Sequence, residues 1–319
     1  MKMRNLRLLT LLLCPIFFAC DKEAEDIPFV GLEEVEVENY PIVDGSTSTD
    51  PLNKLLVCKL LGFDYRWERA MFMNGLWYLW NNIPAEFVTK HLKSSQTHQA
   101  FVNLIDGEAE IILTARKMSP DEKAYAEKAK VSLIETPIAL DAFIFIVNVE
   151  NQIESLTTKQ IQDFYTGKIT NWKEVGGADS PINPYVRNPN SGSQELMESM
   201  IMKELDMPDW DVEWSSEAIP SMDLAFVRIV NNINGLCYTV YYYKEQIVRD
   251  ELSVRHIAVD GVYPDKNTIK NQSYPYVAEV YAVIRNNLDK SSMAYKLYQY
   301  LQTEEGKDII SESGYIPIL

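Results

Sequence analysis

The sequence predicts an α/β protein: mainly parallel sheet flanked by helices, with length enough for two domains. Three observations carry that expectation. A strand-like run enters a helix-like run through a polar turn three times, near residues 40–60, 87–105 and 184–205. The chain has 319 residues, 46% of them hydrophobic and 11% aromatic, which suits two buried cores and argues against disorder. Strands alternating with helices imply a sheet covered on both faces, and such sheets bind ligands outside the carboxyl ends of their strands.

The chain begins with a targeting pattern. Lys2, Arg4 and Arg7 precede the apolar run Leu8–Ala19, which is too short for a stable membrane anchor and has the layout of a removable secretory signal. Phe17-Phe18-Ala19-Cys20 resembles the lipobox of bacterial lipoproteins, which implies a lipid on Cys20; the competing reading is an ordinary signal with a chance cysteine. Loss of residues 1–19 removes three positive charges and no negative ones, taking the formal charge from −16 to −19. The acidic stretch 20–38 reads as a solvated tether. With Cys14 in the signal and Cys20 lipidated, Cys58 and Cys237 remain, and their apolar surroundings suit buried thiols better than a bridge.

The folded part opens with Tyr40-Pro41-Ile42-Val43 as a strand. Gly45-Ser46-Thr47-Ser48-Thr49 follows, and then a helix with Pro51 in its first turn, an apolar face of Leu52, Leu55, Leu56 and Leu60, and a stop at Gly62. Capping by Thr49 or Asp50 explains one hydroxyl there but not four. Residues 63–83 are crowded with aromatic rings and read as a buried excursion, with a partner surface or a carbohydrate-stacking surface as the alternatives. Phe87 to Leu92 alternates like a strand. Ser94-Ser95-Gln96-Thr97 leads from it into a helix through Ala100, Phe101, Leu104 and Ile105, closed by Gly107, and Ala109–Leu113 is the next strand.

The third junction is Arg187-Asn188-Pro189-Asn190-Ser191-Gly192-Ser193, with Leu196, Met197, Met200 and Ile201 at helical spacing behind it. Ser191 with Gln194 three residues on has the form of a capping box, which accounts for the serine by itself. Repeated three times, however, such junctions gather helix N-termini, hydroxyls and an arginine, all donors for an anion. Each helix start contributes roughly 0.3–1 kcal/mol and an arginine hydrogen bond roughly 1.5–3. Together they approach the ~8 kcal/mol of a micromolar complex. The acidic balance excludes a nucleic-acid partner, so any anion site is local. Later, Leu236–Tyr242 and Tyr276–Val283 read as strands and Ser292–Leu301 as a helix.

These stretches resemble the substrate-binding proteins of bacterial phosphate ABC transporters, in their lipoprotein form and within the type II periplasmic-binding-protein fold, from about Tyr40 to the C-terminus. The resemblance lies in Gly45–Ser48, Leu104–Ile111, Pro137–Asp141, Ile146–Asn148, Leu156-Thr157, Gly167–Trp172, Arg187–Ser193 and Thr303–Pro317. It implies two lobes joined by hinge strands: 39–139 with 263–319 in the first and 140–262 in the second, closing over a cleft. It further implies that Ser46, Thr47, Ser48, Thr97, Arg187, Ser191, Gly192 and Ser193 bind phosphate, without cofactor or metal. The expected partners are phosphate, the membrane subunits of an ABC permease and the membrane itself through the lipid. The expected state is a monomer of the cell envelope, facing the periplasm or cell surface.

One departure bears on selectivity. Many family members carry an aspartate after the second strand that accepts the proton of hydrogen phosphate; here Leu113-Thr114-Ala115-Arg116 places Ala115 at that point. Asp141 and Asp44 are the candidate substitutes, and Arg116 reads either as part of the site or as an exposed strand-end charge. The alternatives to phosphate are sulfate, molybdate or tungstate in the same fold, or a surface interaction or sensing lipoprotein. An enzyme is not expected: Ser191-Gly192-Ser193 lacks a nucleophile elbow, and His91, His98 and His256 have no metal-ligand spacing.

Overall fold

The computed structural model describes residues 32, 34–70, 75–207, 221–249 and 253–318. The signal segment, Cys20, most of the tether and part of the 63–83 stretch lie outside these residues. Two apolar cores organise what is described. The first forms around β1 (Val43–Gly45), α1 (Asp50–Leu61), α2 (Ala85–His91), α3 (Thr97–Asp106), β4 (Ile111–Thr114) and α4 (Pro120–Ala129). Between α1 and α2 the aromatic stretch forms a hairpin of β2 (Tyr65–Arg69) and β3 (Trp77–Asn81).

The strand β5 (Leu133–Asn148) then runs 16 residues, about 50 Å at a strand's rise, and crosses from one core to the other. The second core takes β6 (Ser155–Leu156), α5 (Thr158–Tyr165), β7 (Asn183–Pro184), α6 (Gly192–Leu196) running into a π-helical turn to Met202, α7 (Met222–Val230) and β8 (Gly235–Val240). It also takes β9 (Val254–His256), β10 (Ala258–Val259) and Ile269 of α8 (Lys266–Lys270). The strand β11 (Val277–Arg285) returns to the first core, followed by α9 (Met293–Tyr300), α10 (Glu304–Ser313) and β12 (Ile316–Pro317).

The main sheet runs β1-β4-β11-β5-β8-β7. Its outer pairs, β1 with β4 and β7 with β8, are parallel, while β11 and β5, which link the two cores, pair antiparallel with their neighbours. Side chains alternate faces as strand geometry requires: Ile111, Leu113, Val280, Ala282 and Ile284 join the large first core, and Ile112, Tyr281 and Val283 pack on α3 across the sheet. Helices therefore cover both faces, as the apolar strand sequences demand. Where Pro137 interrupts β5 the register slips, Pro137 pairing with Tyr281 and Ala139 with Val280, so that Ile138 is an extra residue at a proline that has no N–H to give.

Two expected elements differ. Phe87–Leu92 is not a strand; Phe87 and His91 sit one turn apart in α2, both buried, with rings stacked at 4.7 Å. Arg116 is not exposed, since its side chain is 5% accessible and grips the fully buried Glu122 through both Nη atoms, at 2.7 and 2.8 Å. Cys58 and Cys237 are free buried thiols in different cores. At the start of the described region Leu32 packs in the first core and Glu34 pairs with Lys296 at 2.9 Å.

Candidate functional site

The three polar junctions meet. All eight residues expected at the site, Ser46, Thr47, Ser48, Thr97, Arg187, Ser191, Gly192 and Ser193, line one cavity of about 190 Å³ between the two cores. Ser46–Ser48 and Thr97 come from the first core; Arg187 and 191–193 come from the second. The parallel pairing of β1 with β4 places the Ser46 turn beside Ala115, whose N–H donates to Ser46 Oγ at 3.1 Å. Ser46 Oγ also shares a hydrogen bond with Thr97 Oγ1 at 2.8 Å.

Local sequence explains why the donors face inward. Gly45 lies where a Cβ would stand 2.5 Å from the Leu113 carbonyl oxygen, so only glycine lets the turn sit this close to β4. Thr49 does not cap α1, because its hydroxyl donates to the carbonyls of Ser46 and Leu113, and Asp50 pairs with Lys54 at 2.6 Å. The helix begun at Thr47 and the helix α3 both start without a side-chain cap. Gln96, ahead of Thr97, holds φ 68° and ψ 163°, a region nearly reserved for glycine, at a cost on the order of 1–3 kcal/mol. Strain of that size fits a loop held for a ligand rather than for its own stability.

At the third junction the capping box is only half made. Ser191 Oγ accepts from the Gln194 N–H at 3.2 Å, as a cap does. The Gln194 side chain does not return the bond; its Oε1 accepts from the Arg187 N–H and from the Tyr238 hydroxyl, while its Nε2 donates to Glu198 at 2.7 Å. Gln194 thus fixes the backbone that carries Arg187. The Arg187 side chain is 5% accessible, and Nη1 donates to Ser193 Oγ at 3.3 Å. Burial pulls its pKa below the ordinary value, opposed by the nearby Cys237, Tyr238, Tyr243 and Asp223.

Sequence reading missed the fourth side of the cavity. Ser221, Met222 and Asp223 open α7, which has no side-chain cap, and Tyr243 follows β8. A serine ahead of Ala225, Phe226 and Ile229 is the usual signal of a helix start and marked this segment. Burial, reinforced by Asp223, raises the Tyr243 phenol far above its usual range, so it remains a hydroxyl donor. Among the described lining residues Arg187 is the one cation and Asp223 the one acid.

The two candidate substitutes for the family's aspartate lie elsewhere. Asp44 is fully buried and spends both oxygens on the N–H groups of Gly45 and Ser95 and on Asn103 Nδ2. Asp141 sits on β5, where Oδ1 accepts from Ala142 N–H and Tyr242 N–H while Oδ2 has no partner. Neither lines the cavity. Among the described residues no cluster of His, Cys, Asp or Glu could hold a metal, and no helix is long and apolar enough to cross a membrane.

A fold of two cores bridged by long strands brings helix starts, hydroxyls and one buried arginine together between them, a set of donors with the chemistry to hold a small anion. The family profile described as the PBP superfamily domain matches residues 81–305, and the chain belongs to that family, one of binding proteins rather than enzymes. Among its relatives, the phosphate-binding protein PstS of Borreliella burgdorferi is 24% identical over 210 residues, covering 65% of this chain and 72% of the relative. An ABC-type phosphate transport receptor from Vibrio cholerae shares the fold at 20% identity with a TM-score of 0.59, covering 86% of this chain and 99% of the receptor. So does the tungstate-binding protein TupA from Desulfovibrio alaskensis, at 15% identity and a TM-score of 0.51, covering 88% and 99%.

Proposed function

We propose that this protein is a lipid-anchored solute-binding protein that captures inorganic phosphate between two lobes and delivers it to an ABC permease. The observation that carries the reading is the convergence of three separate segments, each expected from its own sequence pattern, on one small cavity with the buried Arg187 in its wall. Hydroxyls and backbone N–H groups donate to a dehydrated oxyanion, and a single guanidinium supplies charge without binding too tightly for release. The relatives named for phosphate transport support the choice of ligand. In this reading residues 1–19 are removed, Cys20 carries the lipid, and the protein works as a monomer at the cell envelope. The lobes are 39–139 with 263–319, and 140–262. The eight cavity residues are its ligand contacts.

Asp223 bears on which oxyanion fits. A carboxylate in the cavity accepts a hydrogen bond from a protonated anion and repels one without a proton, so hydrogen phosphate is favoured over sulfate. The second reading, another oxyanion, draws on Ala115 in the cavity wall and on the tungstate-binding relative of the same fold. The test of the first is Arg187→Ala, followed by calorimetric titration with phosphate. Affinity should fall about tenfold or more, the loss expected of a charged hydrogen bond; unchanged affinity would remove Arg187 from the site.

A further inference from the structure

A second crevice, of about 490 Å³, adjoins the anion cavity and opens to solvent between the two cores. The two voids share Ala115 and Leu196 as lining residues, so they meet at a methyl group and a leucine side chain. A single tetrahedral anion leaves the larger void unused.

The crevice is built for more than water. Arg116 lines it and is 5% accessible, with Nη1 on Glu122 and on the Lys117 carbonyl and Nη2 on Glu122 and, at 3.4 Å, on the Asn190 carbonyl of the other core. Its Nε–H is buried without any acceptor. A charged donor left unmade is costly, and sites that bind ligands are where such groups are retained. Lys117 and Lys123 stand exposed on the same wall, Glu195 and Glu279 line the crevice as well, and Leu140, Leu196 and Met200 supply apolar surface.

We propose that the crevice receives the organic arm of a small phosphate monoester whose phosphoryl group occupies the anion cavity, with Arg116 and the two lysines meeting oxygen atoms on the arm. The ligand class thereby widens from inorganic phosphate to phosphomonoesters carrying hydroxyl groups, which the lysines and the lining carboxylates Glu195 and Glu279 can both meet. The inference rests on the phosphate reading above. It explains why the two voids meet at the small residue Ala115 and why a buried guanidinium keeps an unused donor beside it.

The test is calorimetric titration of the ligand-stripped protein with inorganic phosphate and with glycerol 3-phosphate at about pH 6, where roughly half of a phosphate monoester still carries a proton to offer Asp223. Glycerol 3-phosphate should bind within about tenfold of phosphate. Ser199→Trp, at an exposed position on the crevice wall, should weaken glycerol 3-phosphate about tenfold or more and leave phosphate unchanged. Lys123→Trp, also exposed, is the second filling variant and should behave alike. Phosphate binding without glycerol 3-phosphate binding overturns the proposal, as does an equal loss of both ligands in both variants. Failure of phosphate itself to bind overturns the phosphate reading instead, and this one with it.

Discussion

Gly192 shows what one residue decides. A Cβ built there would stand 2.8 Å from Thr97 Oγ1, which belongs to the other core, so this glycine serves close approach rather than an unusual backbone angle. To accept a larger residue Thr97 must turn and give up its bond to Ser46. Gly192→Val should therefore weaken phosphate binding about tenfold, the worth of one charge-assisted hydrogen bond, with little change in melting temperature. Unchanged affinity would mean that the two loops do not close on each other around the ligand. Asp141 acts through pH instead. Burial raises its carboxyl to about 7, because desolvation outweighs the N–H groups of Tyr242 and Ala142. Its folded-state pKa lies above the unfolded one, so the folded form holds the proton more tightly and the carboxyl costs stability as pH climbs from about 4 to 7. Asp141→Asn mimics the protonated form and should gain stability over the parent between pH 5 and 8, on the order of 2 kcal/mol in denaturant melts; parallel pH profiles would refute this.

The elements explain how much the sequence disclosed. Each strand–turn–helix junction was legible because its turn concentrates hydroxyls while its helix repeats apolar residues at 3.6, and these two signals are independent. The direction of each bond was not. Gln194 looked like a capping partner, yet it turns to Arg187 and Tyr238, which lie seven and 44 residues away and come close only through the pairing of β7 with β8. Residues 87–92 are too short a run for alternation and helical spacing to be told apart, and the stacking of Phe87 on His91 decided for the helix. Asp223 went unread because a lone acid behind a serine looks like any helix start. The aromatic stretch was expected to be mostly buried, yet its described rings are only half-buried, with Tyr78 exposed, and its aliphatic residues reach the cores instead. Leu76 joins the second core and Leu79 the first, while Arg249 lies over the rings of Trp77 at 3.8 Å and Trp67 at 5.5 Å.

Across the whole molecule, two features set the function. The long strand β5 and the returning β11 are shared by both cores, so relative movement of the two is confined to bending where they cross. The hairpin adds a second link between the cores on the Arg249 side, and the stacked pair Tyr242 and Tyr315, 3.8 Å apart, packs in the first core beside Asp141. The net charge of −16 repels anions over most of the surface, which leaves the buried Arg187 and the helix starts to provide a local attraction. On the proposed reading, capture depends on enclosure rather than on long-range steering. The central claim is met most directly by calorimetric titration of the protein, unfolded and refolded to strip carried-over ligand, with phosphate and separately with sulfate at neutral pH. The account predicts one phosphate bound per chain at about micromolar affinity or better, with sulfate at least about a hundredfold weaker because it carries no proton to donate to Asp223. Equal binding of sulfate, or no binding of phosphate, would contradict it.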